Sequence, residues 1–600
     1  MSEPAFFRRD NNVDEQTCVK DQMRGIEEVG KRSAWLIDKQ EASSSRGMVT
    51  AMQPLAADAG AEILRKGGNA IDAAVATAFA IGVVEPFMSG VGGIAFLVYR
   101  DGKSGQTICL DGSTVLPRAM RPELFELLGE DQRSGMYGWR ATKDNAAEEG
   151  WLTPGVPGMP GMVAEAHRRW GSLPWADVLE PAIRLAEDGF EVNHYVAMMT
   201  AACFNKLQRI PESKRTFFRP DGSPLSPAIG APGDRLKQPD LARTLRLIAS
   251  DGVDVIYKGE IGKMIADDMQ RNGGLITEED LADFTVQEFQ PHQTEYRGHQ
   301  VLGQLRNTGY PTVAEALQLL EGFDVPGMGF QSPQGSHLIA ESIRHAFIDR
   351  LRYLGDKDLL PVPLEGVVSR SYTDQRRADI DPSRAAPDAV PGDPWPFDPD
   401  GPGEMPARSG NGGDSQTTHL NVVDADHNMV SLTSTLGAFY GSGVVIKGTG
   451  ITLNNATMWF DPEPGAVTSV GPGKRVMSAA TPVLVLKDGQ PFAAVGSPGG
   501  RKVISAVYQV LVNMIDYGMS IQPSISAPRL HSEGFQTDIS TRFPAEVIAH
   551  LESIGHQVQR REESLSTSFF ARPSGIVIDR ETGELRGGVF PYTPATASGV

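Results

Sequence analysis

Gly412-Gly413-Asp414-Ser415-Gln416-Thr417-Thr418-His419-Leu420-Asn421-Val422-Val423-Asp424 carries a polar, glycine-rich run straight into an alternating, strand-like run. The alternation predicts a strand over 418–423, and Met429–Leu436 answers it across a short polar turn as a hairpin. A threonine where a loose loop meets a strand suits a self-cleaving hydrolase. Its hydroxyl attacks the preceding carbonyl, the Gln416–Thr417 bond breaks, and Thr417 becomes an N-terminus. The freed α-amine then serves as base for the same hydroxyl. Such an amine titrates at about 7.7–8.0, so a useful fraction is neutral near pH 7. The same residues also suit the plain start of a β-strand, where threonine is common.

Upstream of this stretch, residues 386–416 are rich in Pro, Gly and Asp and exclude helix or central strand. A loop that long is functional or disordered, and a scissile bond needs such freedom. Residues 150–370 read as helices punctuated by Pro and Gly, among them Trp175–Asp188, Glu260–Asn272 and Ser336–Tyr353. Leu55–Lys66 predicts an amphipathic helix ended by Gly67-Gly68. Asn69, with Asp72 three residues on, caps the next helix. Strands are expected at Ile94–Arg100, Thr107–Asp111, Val483–Leu486, Phe492–Val495, 557–559 and 575–578, and helices at Arg501–Tyr517 and Pro544–Ile554. This mixture predicts a layered α/β architecture, sheets inside and helices outside. Residues 1–45 are polar and aperiodic and read as an extension.

The net charge of −19 repels phosphate backbones and argues against nucleic acid. Cys18, Cys109 and Cys203 are the only cysteines, without paired spacing, which argues against a disulfide framework or a zinc knuckle. The N-terminus lacks an apolar signal region, and the longest apolar stretch, 73–84, is too short to span a bilayer, so a soluble cytoplasmic protein without membrane partners is expected.

Amide attack creates an oxyanion that needs backbone donors. Gly496-Ser497-Pro498-Gly499-Gly500, ending a strand and opening a helix, can turn two N–H groups toward one point. An unliganded strand-to-helix turn has the same pattern. Gly90–Gly93 lacks a dinucleotide or P-loop pattern, and no cofactor is expected. His337, Glu341 and His345 share one helix face, but consecutive turns of a surface helix give the same spacing and His-Glu-x-x-His is absent, so no metal is expected.

Several segments together resemble the γ-glutamyltranspeptidase family of N-terminal-nucleophile (Ntn) hydrolases. They include Gly67–Ala76, Gly155-Val156-Pro157-Gly158, Leu275–Leu281, Asp349–Asp356, Gln416–His419, Leu453-Asn454-Asn455, Gly473-Lys474-Arg475 and Gly496–Gly500, in the family's order. The resemblance implies a four-layer αββα sandwich and a precursor that matures into a large subunit, 1–416, and a small one, 417–600. It implies Thr417 as nucleophile, Thr435 as the threonine that orients it, and Gly499 and Gly500 as the oxyanion hole. It implies a small-molecule amide substrate and leaves further oligomerisation open.

The glutamyl clamp of the family is altered. Ser113 stands where the family has its carboxylate-binding arginine, and Trp459 where it has the aspartate that holds the α-amine. Gly437 replaces another polar contact, and Ser478 keeps one of two paired serines, followed by Ala479. Arg118 and Arg121 are near in sequence but out of register. Without bidentate guanidinium recognition, an ordinary γ-glutamyl group should bind poorly. The expectation is an acyl-Thr417 amidohydrolase or acyltransferase with a non-glutamyl acyl group. The alternatives are a glutathione hydrolase rescued by Arg118 or another residue, an oxamate-type amidohydrolase, an open site for a larger or aromatic acyl group, and a processed scaffold without activity.

Overall fold

The computed structural model describes residues 37–135, 138–353, 355–358, 361–401, 403, 416–465, 468–565 and 569–600. The chain divides after Asp38, and the architecture below is that of Lys39–Val600. Residues 402 and 404–415 of the expected 386–416 loop lie outside the described residues, as does most of the 1–45 extension. Within that extension, Ala42–Ser44 pair with Leu585–Gly587 as an edge strand.

Two seven-stranded sheets form the centre. The first runs, edge to edge, Thr596–Gly599, Gly47–Ala51, Gln416–Asp424, Met429–Gly437, Ile94–Arg100, Thr107–Gly112, Gln287–Phe289. The second runs Ala42–Ser44, Leu585–Val589, Ser574–Ile578, Gln490–Gly496, Val483–Lys487, His299–Gly303, His292–Tyr296. All neighbouring pairs in both are antiparallel.

Period-two alternation explains the layering. In Ile94–Arg100, Ala95, Leu97 and Tyr99 join a core shared with helices Pro54–Arg65, Ala70–Val84 and Trp175–Asp188, whereas Val98 faces the other way. In Val483–Lys487, Val483 and Val485 pack under helices Tyr310–Glu321, Pro333–Tyr353 and Lys502–Ile515, whereas Leu484 faces inward. Met48, Val98, Cys109, Val423 and Met429 of the first sheet meet Leu484, Ala494, Ile576, Ile578 and Leu585 of the second. The order is therefore helix, sheet, sheet, helix: the four-layer αββα sandwich of the Ntn-hydrolase type.

Ala70–Val84 is buried along its whole length, so its apolar run reflects an interior helix rather than an amphipathic one. Asn69 and Asp72 form the expected capping box, and Asp72 also accepts from Ser172 N and Oγ. No helix among the described residues is long and apolar enough to cross a membrane.

Candidate active site

Gln416 pairs with Gly437 and Thr418 with Ser434, so Thr417 alone stands opposite Thr435 and Leu436. This irregularity of one residue against two is a β-bulge, a device that re-aims side chains at the end of a ladder. The two-residue period puts Thr417 on the face of His419, which looks between the sheets. Thr417 is 5% exposed and Thr435 1%. Thr435 Oγ1 accepts from Gly437 N at 2.8 Å, and Leu436 N donates to Met88 O at 2.8 Å.

His419 is the histidine nearest in sequence to the nucleophile candidate, but its nitrogens are engaged. Nδ1 lies 2.9 Å from Thr433 Oγ1 and Nε2 lies 3.0 Å from Asn421 Oδ1. Complete burial lowers its pKa to about 4, so the ring is neutral and structural near pH 7.

Gly499 and Gly500 follow strand Gln490–Gly496 and precede helix Lys502–Ile515, with φ of +133° and +65°. A Cβ on Gly499 would lie 2.6 Å from Ala571 Cα, so the turn needs glycine there. Among the described residues, neither amide of the pair donates to the protein.

Ser113 sits at the end of strand Thr107–Gly112, fully buried, with no partner for its hydroxyl among the described residues. Its N–H donates to Asp111 Oδ1 (2.7 Å), and its carbonyl accepts from Arg475 Nη1 (3.2 Å). Asp111 Oδ2 receives Gln304 Nε2 at 2.7 Å and Asn307 Nδ2 at 3.1 Å. Asn307 O receives Ser478 N at 2.9 Å, and Arg350 bridges the carbonyls of Thr308 and Ser478 at 3.0 Å each. This network, which sequence reasoning missed, brings Ser113 and Ser478 onto one scaffold. Ser478 Oγ accepts from Ala480 N at 3.0 Å.

Gly437 has φ of +101°, and a Cβ there would strike Asn455 Oδ1 at 2.1 Å. Asn455 Oδ1 accepts from Ala438 N (2.9 Å), and its Nδ2 donates to Glu148 O (3.0 Å). Trp459 is 5% exposed, and its Nε1 has no partner among the described residues. Its ring packs in one apolar cluster with Ile94, Phe96, Met458, Val476 and Ala480, which joins the Gly437 side of the site to the Ser478 side.

Arg118 is half exposed and pairs with Glu279 at 2.7 Å and with Asp283. Arg121 donates to Arg118 O at 2.7 Å and to Met120 O at 2.8 Å. Among the described residues, neither side chain pairs with Ser113.

Helix Pro333–Tyr353 is not the surface helix that its polar face suggested: His337, Glu341 and His345 are at most 1% exposed. His337 Nε2–H donates to Asp381 O (2.9 Å), so Nδ1 accepts from His556 Nε2–H (2.8 Å). His556 Nδ1 then faces Thr537 Oγ1 (3.1 Å) and Arg344 Nη2 (3.3 Å). Glu341 accepts from Arg344 Nε at 2.9 Å. These donors occupy the lone pairs a cation would use, so His337, Glu341 and His556, though close together, read as a packing network.

Sequence reasoning also missed Glu85, which accepts from Thr418 Oγ1 at 2.9 Å, and the Arg572 guanidinium beside it. The sequence marked this place only as the end of the apolar stretch 73–84.

The γ-glutamyltranspeptidase family model matches residues 56–589. The acylase ACY 1 proenzyme of Pseudomonas sp. (strain SE83) is 37% identical over 87% of this chain and 89% of its own length. The glutathione hydrolase proenzyme of Bacillus subtilis (strain 168) is 34% identical over 92% and 90%. The crystal structure of cephalosporin acylase from Bacillus halodurans superposes with a TM-score of 0.80 at 29% identity, covering 95% of this chain and 98% of that one. The chain therefore belongs to the γ-glutamyltranspeptidase family, as an enzyme of a group that includes acylases and glutathione hydrolases.

Proposed function

We propose that the chain is a self-processing amidohydrolase whose mature nucleophile is Thr417 and whose acyl group lacks a free α-amino acid end. In processing, Thr417 Oγ1 adds to the Gln416 carbonyl carbon, the C–N bond breaks, and the acyl group passes to oxygen. Water then hydrolyses that ester, leaving the Gln416 carboxylate and a free Thr417 amine. In turnover the amine takes the hydroxyl proton as Oγ1 attacks the substrate amide. Gly499 and Gly500 donate to the oxyanion. The proton returns to the leaving amine, and water releases the acid. With His419 neutral and held at both nitrogens, the α-amine is the base the reading relies on.

The observation that carries the acyl specificity is the state of Ser113 and Trp459. Each carries a buried neutral donor without a partner among the described residues, and Trp459 packs in an apolar cluster. A glutamyl end requires a guanidinium and a carboxylate there. Two neutral donors favour an acyl chain that is mainly apolar and accepts hydrogen bonds. The acylases among the relatives make acylated aminocephalosporin nuclei the first substrates to try.

Intact mass of the wild type beside Thr417→Ala tests the nucleophile: fragments ending at Gln416 and starting at Thr417, absent from the variant, are expected. Parallel kinetics on an acyl-aminocephalosporanic acid, a γ-glutamyl anilide and oxamate test the acyl group. A preference for the γ-glutamyl substrate or for oxamate overturns that part. An uncut, inactive wild type leaves the scaffold reading.

A further inference from the structure

Residues 85–88 brace both threonine strands at once. Glu85 Oε2 accepts from Thr418 Oγ1 at 2.9 Å, one residue past Thr417. Met88 O accepts from Leu436 N at 2.8 Å, one residue past Thr435. Pro86 stops the helix between these contacts, so the segment is short and held at both ends.

Glu85 is an unusual residue for this place. It is 2% exposed and caps the C-terminal end of helix Ala70–Val84, where the helix dipole disfavours an anion. Burial raises its pKa to about 7, and the charge of Arg572 opposes that rise. The titratable groups facing it are Arg572 and Tyr195. Arg572 Nη1 donates to Tyr195 Oη, and its Nη2 lies 3.9 Å from Met88 Sδ.

The main chain at Arg572 belongs to the other half of the site. Its N–H reaches Ser497 Oγ at 3.1 Å and Pro498 O at 2.9 Å, in the turn that carries Gly499 and Gly500. Ala571 lies directly under Gly499. One buried cluster of Glu85, Arg572, Tyr195 and Thr418 thus touches the nucleophile strand and the oxyanion turn together.

We propose that Glu85 is a positioning residue for Thr417: through Thr418 it holds the start of the nucleophile strand in register, and its segment 85–88, with Arg572 packed on Met88, couples that strand to the oxyanion turn. The proposal rests on the reading of Thr417 as nucleophile. Cleavage before Thr417 removes the covalent tether on its N-terminal side, so the hold on Thr418 replaces it. Productive attack tolerates little displacement of the hydroxyl, and ~1 Å of misplacement lowers turnover by about a hundredfold.

The test compares full-length wild type with Thr418→Val, which keeps the shape and deletes the hydroxyl, Thr418→Ser, which keeps the hydroxyl, and Glu85→Gln. Intact mass gives the cleaved fraction, and kcat, KM and the pH profile of kcat are measured on the best amide substrate. Thr418→Val is expected to lower kcat by about ten- to a hundredfold with KM nearly unchanged, and Thr418→Ser to recover most of it. Glu85→Gln is expected to displace the pH profile, since it removes a carboxyl that titrates near 7 against Thr418 of the nucleophile strand. If Thr418→Val keeps the parental kcat, or Thr418→Ser fails to restore it, the positioning role is overturned. This pair decides even where Glu85→Gln does not fold. A soluble Glu85→Gln enzyme with the parental pH profile overturns it too. A wild type uncut at Thr417 sinks the nucleophile reading and this proposal together. A wild type that is cut and active, with unaltered variants, sinks the proposal alone.

Discussion

The imidazole of His419 occupies the space that any side chain at position 496 would need. A Cβ built on Gly496 falls 2.1 Å from His419 Cε1 and 2.4 Å from Nε2. His419 belongs to strand Gln416–Asp424 of one sheet, and Gly496 ends the strand of the other sheet that leads into the turn at Gly499 and Gly500. Their contact sets how closely the two sheets approach there.

Gly496→Ala should therefore act on stability and on the site together. Overpacking of this kind lowers stability by about 1–3 kcal/mol. Thermal unfolding should show the loss, and intact mass over time should show slower appearance of the fragment that starts at Thr417. Unchanged stability would mean that the sheets part at no penalty.

His419 also gives stability a pH dependence of definite sign. Its folded pKa of about 4 lies below the ordinary imidazole value of 6.5, so the unfolded chain takes up a proton first as pH falls. The contribution is whole above about pH 6.5 and is lost progressively toward pH 4. Urea unfolding of the wild type and His419→Gln at pH 7 and pH 5 should show a smaller pH dependence in the variant.

Glu148 gives the opposite sign. Burial raises its pKa from 4.5 to about 7, with Lys206 opposing the rise. Between those values the folded chain holds a proton that the unfolded chain has released. Stability is full below pH 4.5 and falls as pH rises through about 7. Glu148→Gln should flatten that slope and raise stability above pH 7, by on the order of 2 kcal/mol. A variant less stable than the wild type at pH 8 would show that the ionised carboxylate is held by a favourable partner.

Arg118 faces Glu279 and Asp283 on the surface rather than Ser113. Arg118→Ala should leave KM and kcat for the preferred amide within about twofold, since exposed pairs of this kind contribute little. A large rise in KM confined to carboxylate-bearing acyl groups would return Arg118 to the pocket and revive the glutathione-hydrolase alternative.

Trp459→Phe removes the indole N–H and keeps an aromatic ring in the apolar cluster. If that N–H meets the acyl group, kcat/KM should fall by about two- to tenfold, the range of one neutral hydrogen bond. Any loss of thermal stability should come from the smaller ring in the cluster rather than from the N–H, which has no partner among the described residues.

Local signals carried much of the fold. Helix Trp175–Asp188 and strand Ile94–Arg100 match their sequence bounds, and Asn69 with Asp72 forms the expected cap. These depend on neighbours within a turn or a ladder. The bulge at Thr417 was not legible, because it is a relation between two strands rather than a pattern in either. The network of Asp111, Gln304, Asn307 and Arg350, and the Glu85–Arg572 cluster, join segments far apart along the chain, and their polar letters read alone as surface. Helix Pro333–Tyr353 misled for the same reason: His337 and Glu341 look solvated until His556 and the Ala386 amide are brought to them.

The order of strands in the first sheet has a consequence for what a break before Thr417 would produce. Gln416–Asp424 and Met429–Gly437 lie between Gly47–Ala51 and Ile94–Arg100, and Gly47–Ala51 lies in turn beside Thr596–Gly599. The two polypeptides are woven through one another, like fingers of clasped hands, and no flat face divides them. Dilution alone would not part them. Releasing either would mean melting the shared ladders, so the nicked molecule would persist as long as the uncut fold does, its lifetime set by an unfolding rate rather than by a dissociation constant.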